Sequence, residues 1–223
     1  MTKKTKIVIA SILFFIVAIA DIFAVVIQNK TMEIVFKPLL MITLLILYLV
    51  SINKINWWLV LGLLFAFLGN VFLLDQQNYF VFGVASFLVT HVLYIKIIIG
   101  FLEKKSFTRI VLSTIPYMLY FIAIMYVVYE SLKEMLIPVT EYGLVISIYG
   151  AVTFLNYQQE KSIANLLLLF SALFFVISDS FIILNIYHDY NKILDFFVIF
   201  LYIGAQYLTV KGLIVKEEES DKS

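Results

Sequence analysis

Residues 163–184 read Ile-Ala-Asn-Leu-Leu-Leu-Leu-Phe-Ser-Ala-Leu-Phe-Phe-Val-Ile-Ser-Asp-Ser-Phe-Ile-Ile-Leu. These 22 residues contain one ionisable group, Asp179. A helix needs about 20 mainly apolar residues to cross the hydrocarbon core of a bilayer, so this stretch predicts a transmembrane helix. Seven more runs of the same kind flank it, at 7–27, 34–51, 57–74, 80–101, 109–129, 136–156 and 193–213. The breaks between them carry turn and charge signals: Gln28-Asn29-Lys30, Ser51-Ile52-Asn53-Lys54, Asp75-Gln76-Gln77-Asn78 and His188-Asp189-Tyr190-Asn191-Lys192. The runs do not alternate apolar and polar residues, which excludes a β-barrel. The expected fold is all-α, a polytopic membrane bundle of eight helices forming one domain over 1–223.

Composition points the same way. The chain of 223 residues is 63% hydrophobic and 14% charged, against about 25% charged in a typical soluble domain. A soluble fold of this size leaves about a quarter to a third of its surface facing water and could not hide so much apolar area. A soluble enzyme, a disulfide scaffold and a disordered chain are excluded. The net charge of +1 provides no basic patch for nucleic acid. With no cysteine there is no redox motif and no thiolate site. The two histidines, His91 and His188, cannot by themselves supply a three-histidine zinc site.

Basic residues in short loops orient the spans. Eleven of them fall on the side of the N-terminus, the even-to-odd loops and the C-terminal end: Lys3, Lys4, Lys6, Lys54, Lys104, Lys105, Arg109, Lys161, Lys211, Lys216 and Lys222. Four fall on the other side, at Lys30, Lys37, Lys133 and Lys192, and Lys96 lies within a span where it can snorkel. Both termini are therefore expected in the cytoplasm, with residues 214–223 a short charged tail whose Glu217-Glu218-Glu219 is a solvated end. Lys3, Lys4 and Lys6 before an apolar stretch and Ala18-Ile19-Ala20 also resemble a cleavable signal peptide. The apolar run continues to Ile27, long enough to span, which favours a retained first helix.

Polar groups inside a bilayer are expensive and are functional candidates by default. Asp21 and Asp179 are the deep acids; Asn70, His91, Tyr142, Tyr149, Asn185, Tyr202 and Gln206 are the other deep polar groups. Glu141 lies one to two turns inside the sixth span, and Lys37 with Pro38 opens the second. Several have structural readings. Asn70 and Gln206 suit interhelical hydrogen bonds, worth ~0.6 kcal/mol on average; Tyr142 and Tyr149 suit packing; Lys37 suits an interfacial anchor. Asp21, about two turns from the outer end, is expected within reach of water. Asp179 is harder to explain structurally, because Ser178, Ser180, Phe174, Phe175 and Phe181 surround it. An acid there needs a partner, a water-filled cavity or its proton.

Helical spacing groups these residues. Gly62, Ala66, Gly69 and Asn70 form one small-residue stripe that lets another helix approach. Phe87, His91 and Tyr94 share a face, as do Tyr202, Gln206 and Thr209. Asn70 and Asp179 both fall in the outer halves of outward-running spans, so the polar set can converge on a cavity opening away from the cytoplasm. Leu68-Gly69-Asn70-Val71-Phe72-Leu73-Leu74 echoes Ile177-Ser178-Asp179-Ser180-Phe181-Ile182-Ile183, and Pro38 and Pro138 both sit near the outer starts of their spans. Two parallel four-helix repeats would produce that echo, as some transporters have.

The ordered set Lys37-Pro38-Leu39, Gly62-Leu63-Leu64-Phe65, Leu68 to Leu74, Gly83, His91-Val92-Leu93-Tyr94, Ser178-Asp179-Ser180 and Ala205-Gln206 resembles the YhhN-like lysoplasmalogenase family. The resemblance covers most of the chain. It implies an eight-helix membrane hydrolase that cleaves the vinyl-ether bond of a lysoplasmalogen, a lyso-ether phospholipid, to a fatty aldehyde and a glycerophospho-alcohol. The family's acid pair would fall on Asn70 and Asp179; the first position usually holds Asp, and this chain has Asn.

Vinyl-ether hydrolysis proceeds by protonation of the carbon β to the oxygen, addition of water to the oxocarbenium ion and collapse of the hemiacetal. It needs a neutral acid and a group that orients or deprotonates water; a carboxyl in an apolar site keeps its proton more readily. Asp179 fits the acid, Asn70 a holder of water or substrate, and His91 the base. Lys37 can meet the phosphate as a point charge, with Tyr94, Tyr142, Tyr202 and Gln206 as further substrate-binding candidates. No cofactor, metal, nucleic acid or protein partner is required, only the lipid substrate and the bilayer, which is the plasma membrane if the source is bacterial. Two other classes compete: a non-catalytic lipid-binding relative, consistent with Asn70, and a small-solute transporter, consistent with the repeat. The histidine count disfavours a zinc amidase of the alkaline ceramidase type.

Overall fold

The computed structural model describes residues 2–103 and 107–220. Lys104, Lys105 and Lys222, which enter the charge balance, lie outside the described residues. Eight α-helices follow one another: α1 (Lys3–Val26), α2 (Lys30–Ser51), α3 (Trp57–Phe72), α4 (Gln76–Ile99), α5 (Phe107–Leu132), α6 (Leu136–Gln159), α7 (Ile163–Tyr187) and α8 (Lys192–Ser220). The polar breaks supply their caps, because the first backbone N–H groups of a helix have no partner within it. Asn29 Oδ1 accepts from Met32 N (3.1 Å), Asn56 Oδ1 from Trp58 N (3.0 Å), Asp75 Oδ1 from Asn78 N (3.4 Å) and Ser162 Oγ from Asn165 N (3.3 Å).

By length and apolarity the described residues hold six continuous helical segments able to cross a membrane, and not the expected eight. The count is smaller because α3 runs into α4 through the 3-10 turn Leu73–Asp75, and α5 into α6 through Lys133–Met135. These joined segments are 43 and 52 residues long. A straight helix of 43 residues would extend ~65 Å, about twice the hydrocarbon thickness. Instead each folds back on itself. A Cβ on Gly62 would sit 2.6 Å from the Tyr94 ring and one on Gly69 2.7 Å from Phe87, so residue number falls along α4 as it rises along α3. The small-residue stripe thus receives α4, whose Thr90 Oγ1 also donates to Gly62 O (3.2 Å). In the α5–α6 reversal Lys133 adopts φ 46°, a left-handed conformation that is rare and costly outside glycine.

Burial is the reverse of that in a soluble protein. Large apolar side chains such as Ile19, Trp57, Leu119 and Ile137 face outward, while Asn156, Asn165, Gln206 and His91 are buried. The main core is built around Phe14, Leu40, Leu44, Leu63, Tyr94, Tyr149, Leu168, Phe175 and Ile203, from every helix except α5. α5 joins the bundle through a smaller cluster, Val128 and Leu132 against Val139 of α6 and Ile183 of α7.

The acidic tail departs from its expected form. α8 continues to Ser220, and Glu217 Oε1 accepts from the backbone N–H groups of Asn53 (3.0 Å) and Lys54 (2.9 Å). Those two amides, left open where α2 ends, draw the carboxylate in and order the turn.

Candidate active site

Asp179 lies about two thirds of the way along α7, where the small side chains of Ser178 and Ser180 flank it. Ser178 Oγ donates to Val198 O of α8 (2.9 Å), which fixes the α7–α8 register here. The Tyr142 hydroxyl, from α6, donates to Asp179 Oδ2 at 2.6 Å and lies 3.4 Å from His91 Nδ1. That nitrogen is 2.9 Å from Phe87 O, one turn back on α4. A carbonyl only accepts, so Nδ1 carries the proton and Nε2 presents its lone pair. His91 is clasped by aromatic rings, closest Phe175, edge-on with centroids 4.7 Å apart.

These groups line one cavity of about 210 Å³ together with Asn70, Lys37, Tyr202, Phe87 and Asn185. Six of the eight candidate residues therefore meet, from α2, α3, α4, α6, α7 and α8: Asp179, Asn70, His91, Lys37, Tyr142 and Tyr202. Asn70 and Asp179, the matched positions of the internal echo, are both among them. Tyr94 and Gln206 stand one layer behind the cavity wall. The Tyr94 hydroxyl donates to Gln206 Oε1 (2.8 Å), and Gln206 Nε2 donates to the Tyr202 hydroxyl (3.4 Å), so the pair supports Tyr202 rather than lining the space.

Two polar atoms of the site are buried without a hydrogen-bond partner among the described residues, Asn70 Nδ2 and His91 Nε2. An orphaned buried donor or acceptor costs about 1–3 kcal/mol, so such atoms are rare in structure and common where another molecule binds. Lys37 Nζ lies 3.6 Å from Glu33 Oε2, a partial neutralisation that leaves the ammonium at the cavity edge. Asp21 does not reach water as expected. It is fully buried on α1, which packs against both α2 and α8, and neither carboxyl oxygen has a partner among the described residues.

Sequence reasoning overlooked the mouth of the cavity. Gln76 at the start of α4, Tyr190 in the α7–α8 turn and Asp195 in the first turn of α8 line it. Asp195 is held by Asn185 Nδ2 (2.7 Å) and by the Tyr190 hydroxyl (2.8 Å). That hydrogen bond to the carboxylate raises the Tyr190 phenol above its ordinary range. The available signal was position: these polar residues sit in or next to the breaks at the same end of the bundle as Asn70 and Asp179. Among the described residues no group of three or more His, Cys, Asp or Glu side chains lies close enough to share a metal ion.

A model of the YhhN family matches residues 32–213. The chain belongs to the YhhN family. Neither a curated protein nor a solved structure matches it. The YhhN match takes in every cavity residue described above, from Lys37 to Tyr202, and leaves out Asp21 on α1.

Proposed function

We propose that this YhhN family member is a membrane-embedded hydrolase of the lysoplasmalogenase type, cleaving the vinyl-ether bond of a single-chain ether phospholipid. The observation that carries the reading is the meeting of Asp179, Tyr142, His91 and Asn70 in one cavity inside an apolar bundle. In this reading all eight α-helices span the bilayer, the two longest segments as hairpins. Both termini lie in the cytoplasm and the cavity mouth opens on the opposite side.

Tyr142 occupies Asp179 Oδ2, which leaves Oδ1 to carry and deliver the proton. Asp179 protonates the alkenyl carbon β to the ether oxygen, and the double-bond electrons form the new C–H bond. Water, oriented by the Asn70 amide, adds to the oxocarbenium carbon and gives a proton to His91 Nε2. The hemiacetal collapses to the aldehyde and releases the glycerophospho-alcohol, and the proton on His91 returns to Asp179. One water is consumed. General acid–base help of this kind contributes about 10²–10⁴ in rate.

The test is aldehyde release from a lyso-vinyl-ether phospholipid by purified protein in lipid. Wild type is expected to release it, and Asp179→Asn to lose about 10²-fold or more. Equal rates for the two remove Asp179 from the chemistry. The presence of Asn70 instead of an acid favours a second reading, lipid binding without turnover. Wild type that binds the lipid without aldehyde release, while Asn70→Asp releases it, would establish that reading.

A further inference from the structure

Asp179 faces two spaces of opposite character. One is the polar cavity already described. The other is a narrow, apolar passage of about 50 Å³ between α5, α6 and α7, walled by Phe121, Ile146, Val176 and Ile183 and bordered by Tyr142 and Asp179 themselves. Through Tyr120 and Val176 it continues into a wider apolar space of about 450 Å³ against Pro116, Phe154, Leu169 and Leu173. Asp179 and Leu169 are ten residues apart on one helix, so the groove runs ~15 Å from the carboxyl, half the ~30 Å hydrocarbon core.

In the opposite direction the polar cavity shares Lys37, Gln76, Tyr190 and Asp195 with a mouth of about 580 Å³ at the helix ends. The mouth carries both signs of charge, Lys30 and Lys37 against Glu33, Asp75 and Asp195. Polar mouth, acid and apolar groove therefore lie in series along α7.

We propose that the α5–α7 groove is the binding site for the alkyl chain of the lipid substrate, its end lying toward Pro116 and Leu169. The head group then occupies the mouth, with phosphate near Lys37 and a cationic group near Asp195, and the bond between head and chain stops at Asp179. The inference rests on the hydrolase reading of the same site and adds where the chain goes and what measures it. Two observations set this groove apart from a surface that bilayer lipid merely covers. A carboxyl opening into an apolar space is costly in a membrane unless it is used. In addition, α5, which forms one wall, contributes no residue to the main core among the described residues, and apolar space lies along its Pro116–Met125 stretch. The constriction at Tyr142 and Asp179 admits one chain, which selects a single-chain lipid over a two-chain one. Val176 lines both parts of the groove and so gauges the chain about a third of the way along it.

The experiment uses a saturated single-chain ether phosphocholine, which cannot be hydrolysed, carrying a photoactivatable diazirine at the chain end. Full-length protein in nanodiscs is irradiated with this probe and the labelled peptides are mapped. Labelling is expected on Tyr117, Leu169 or Leu173, saturable, and at least ten-fold weaker when unlabelled lipid of the same kind competes. Val176→Trp is expected to reduce labelling at least ten-fold for a sixteen-carbon probe and to spare a probe too short to pass Val176. Leu173→Trp, nearer the chain end, is expected to move that length threshold outward. Labelling spread over the outer faces of α1–α4, or labelling that neither competitor nor Val176→Trp reduces, overturns the groove. Because the probe is inert, groove labelling without aldehyde release from the vinyl-ether lipid breaks the hydrolase reading alone. Aldehyde release with labelling elsewhere breaks the groove alone.

Discussion

Two regions of the helix bundle handle polar groups in different ways. Where α6 meets α7, a chain of polar groups is paired. Asn156 Nδ2 donates to Asn165 Oδ1 (2.8 Å), Asn165 Nδ2 donates to Glu160 O (2.8 Å), Glu160 pairs with Lys216, and Lys3 Nζ donates to Asn53 Oδ1 (2.7 Å). Deeper in the bundle, around Asn70, His91 and Asp21, the pairing is incomplete. Of five buried side-chain atoms without a partner among the described residues, four belong to Asp21, Asn70 and His91; the fifth, Glu219 Oε2, lies near the paired cluster. The same chain closes one polar cluster and leaves another open, so the open one is not a general failure of packing. Sites for another molecule are where local satisfaction is given up.

Four substitutions break or sharpen that contrast. The largest effect is expected for His91→Phe, which keeps a ring among the aromatic neighbours and removes the Nε2 lone pair. Aldehyde release should fall about 10²-fold, while the melting temperature in detergent changes little. A matching collapse of stability would turn His91 into a packing residue.

In the paired cluster, Asn165→Leu should show the converse. It orphans the Asn156 amide and the Glu160 carbonyl, at a cost of about 1–3 kcal/mol, and the specific rate per folded molecule should stay at the wild-type value. Loss of rate without loss of stability would mean that the two regions are coupled.

Asp21→Leu removes a buried carboxyl with no partner on either oxygen. Stability is expected to rise by about 1 kcal/mol, seen as a melting temperature roughly 2–4 °C higher for a chain of this size. A lower melting temperature would place Asp21 with the satisfied groups.

The smallest effect belongs to Lys216→Met. Glu160 is half exposed, so its ion pair is worth less than about 1 kcal/mol. The hydrogen bond from Lys216 holds the Glu160 carboxyl below its ordinary value of 4.5. The pair's contribution is therefore fully present above that value and is lost as the pH falls through the lower folded-state value. Melting temperatures of wild type and Lys216→Met should differ slightly at pH 7 and converge toward pH 3.

Several features were readable from residues alone because they are local. Asn29, Asn56, Asp75 and Ser162 cap helices for the same reason that they break apolar runs: a short polar side chain satisfies backbone N–H groups that the helix leaves open. The α3 stripe of Gly62, Ala66 and Gly69 announced a close helix neighbour, and α4 fills that place. Asp179 stood out because charge is scarce in the spans.

Other features depended on partners that no periodicity encodes. Asp21 has the same distance from a helix end as residues that reach water, yet the packing of α1 against its neighbours buries it. Glu217 reads as part of a solvated tail until the open amides of Asn53 and Lys54 are placed beside it. Tyr94 and Gln206 share the correct faces of α4 and α8, and they bond to each other behind Tyr202 instead of lining the cavity. The six continuous segments differ from eight separate runs because the reversals at Leu73–Asp75 and Lys133–Met135 keep helical hydrogen bonding through the turn.

By itself the sequence determined the apolar surroundings, the helical class, the polar breaks between helices and the residues too costly to be incidental, since each follows from hydropathy, period and turn chemistry within one segment. Only the tertiary structure decided that Asn70, His91, Tyr142 and Asp179 share a cavity, and that an apolar groove along α5 reaches the same carboxyl. The physical reason is that apolar helix faces in lipid resemble one another. Their choice of neighbour rests on van der Waals fit and a few hydrogen bonds between distant segments, not on burial from water.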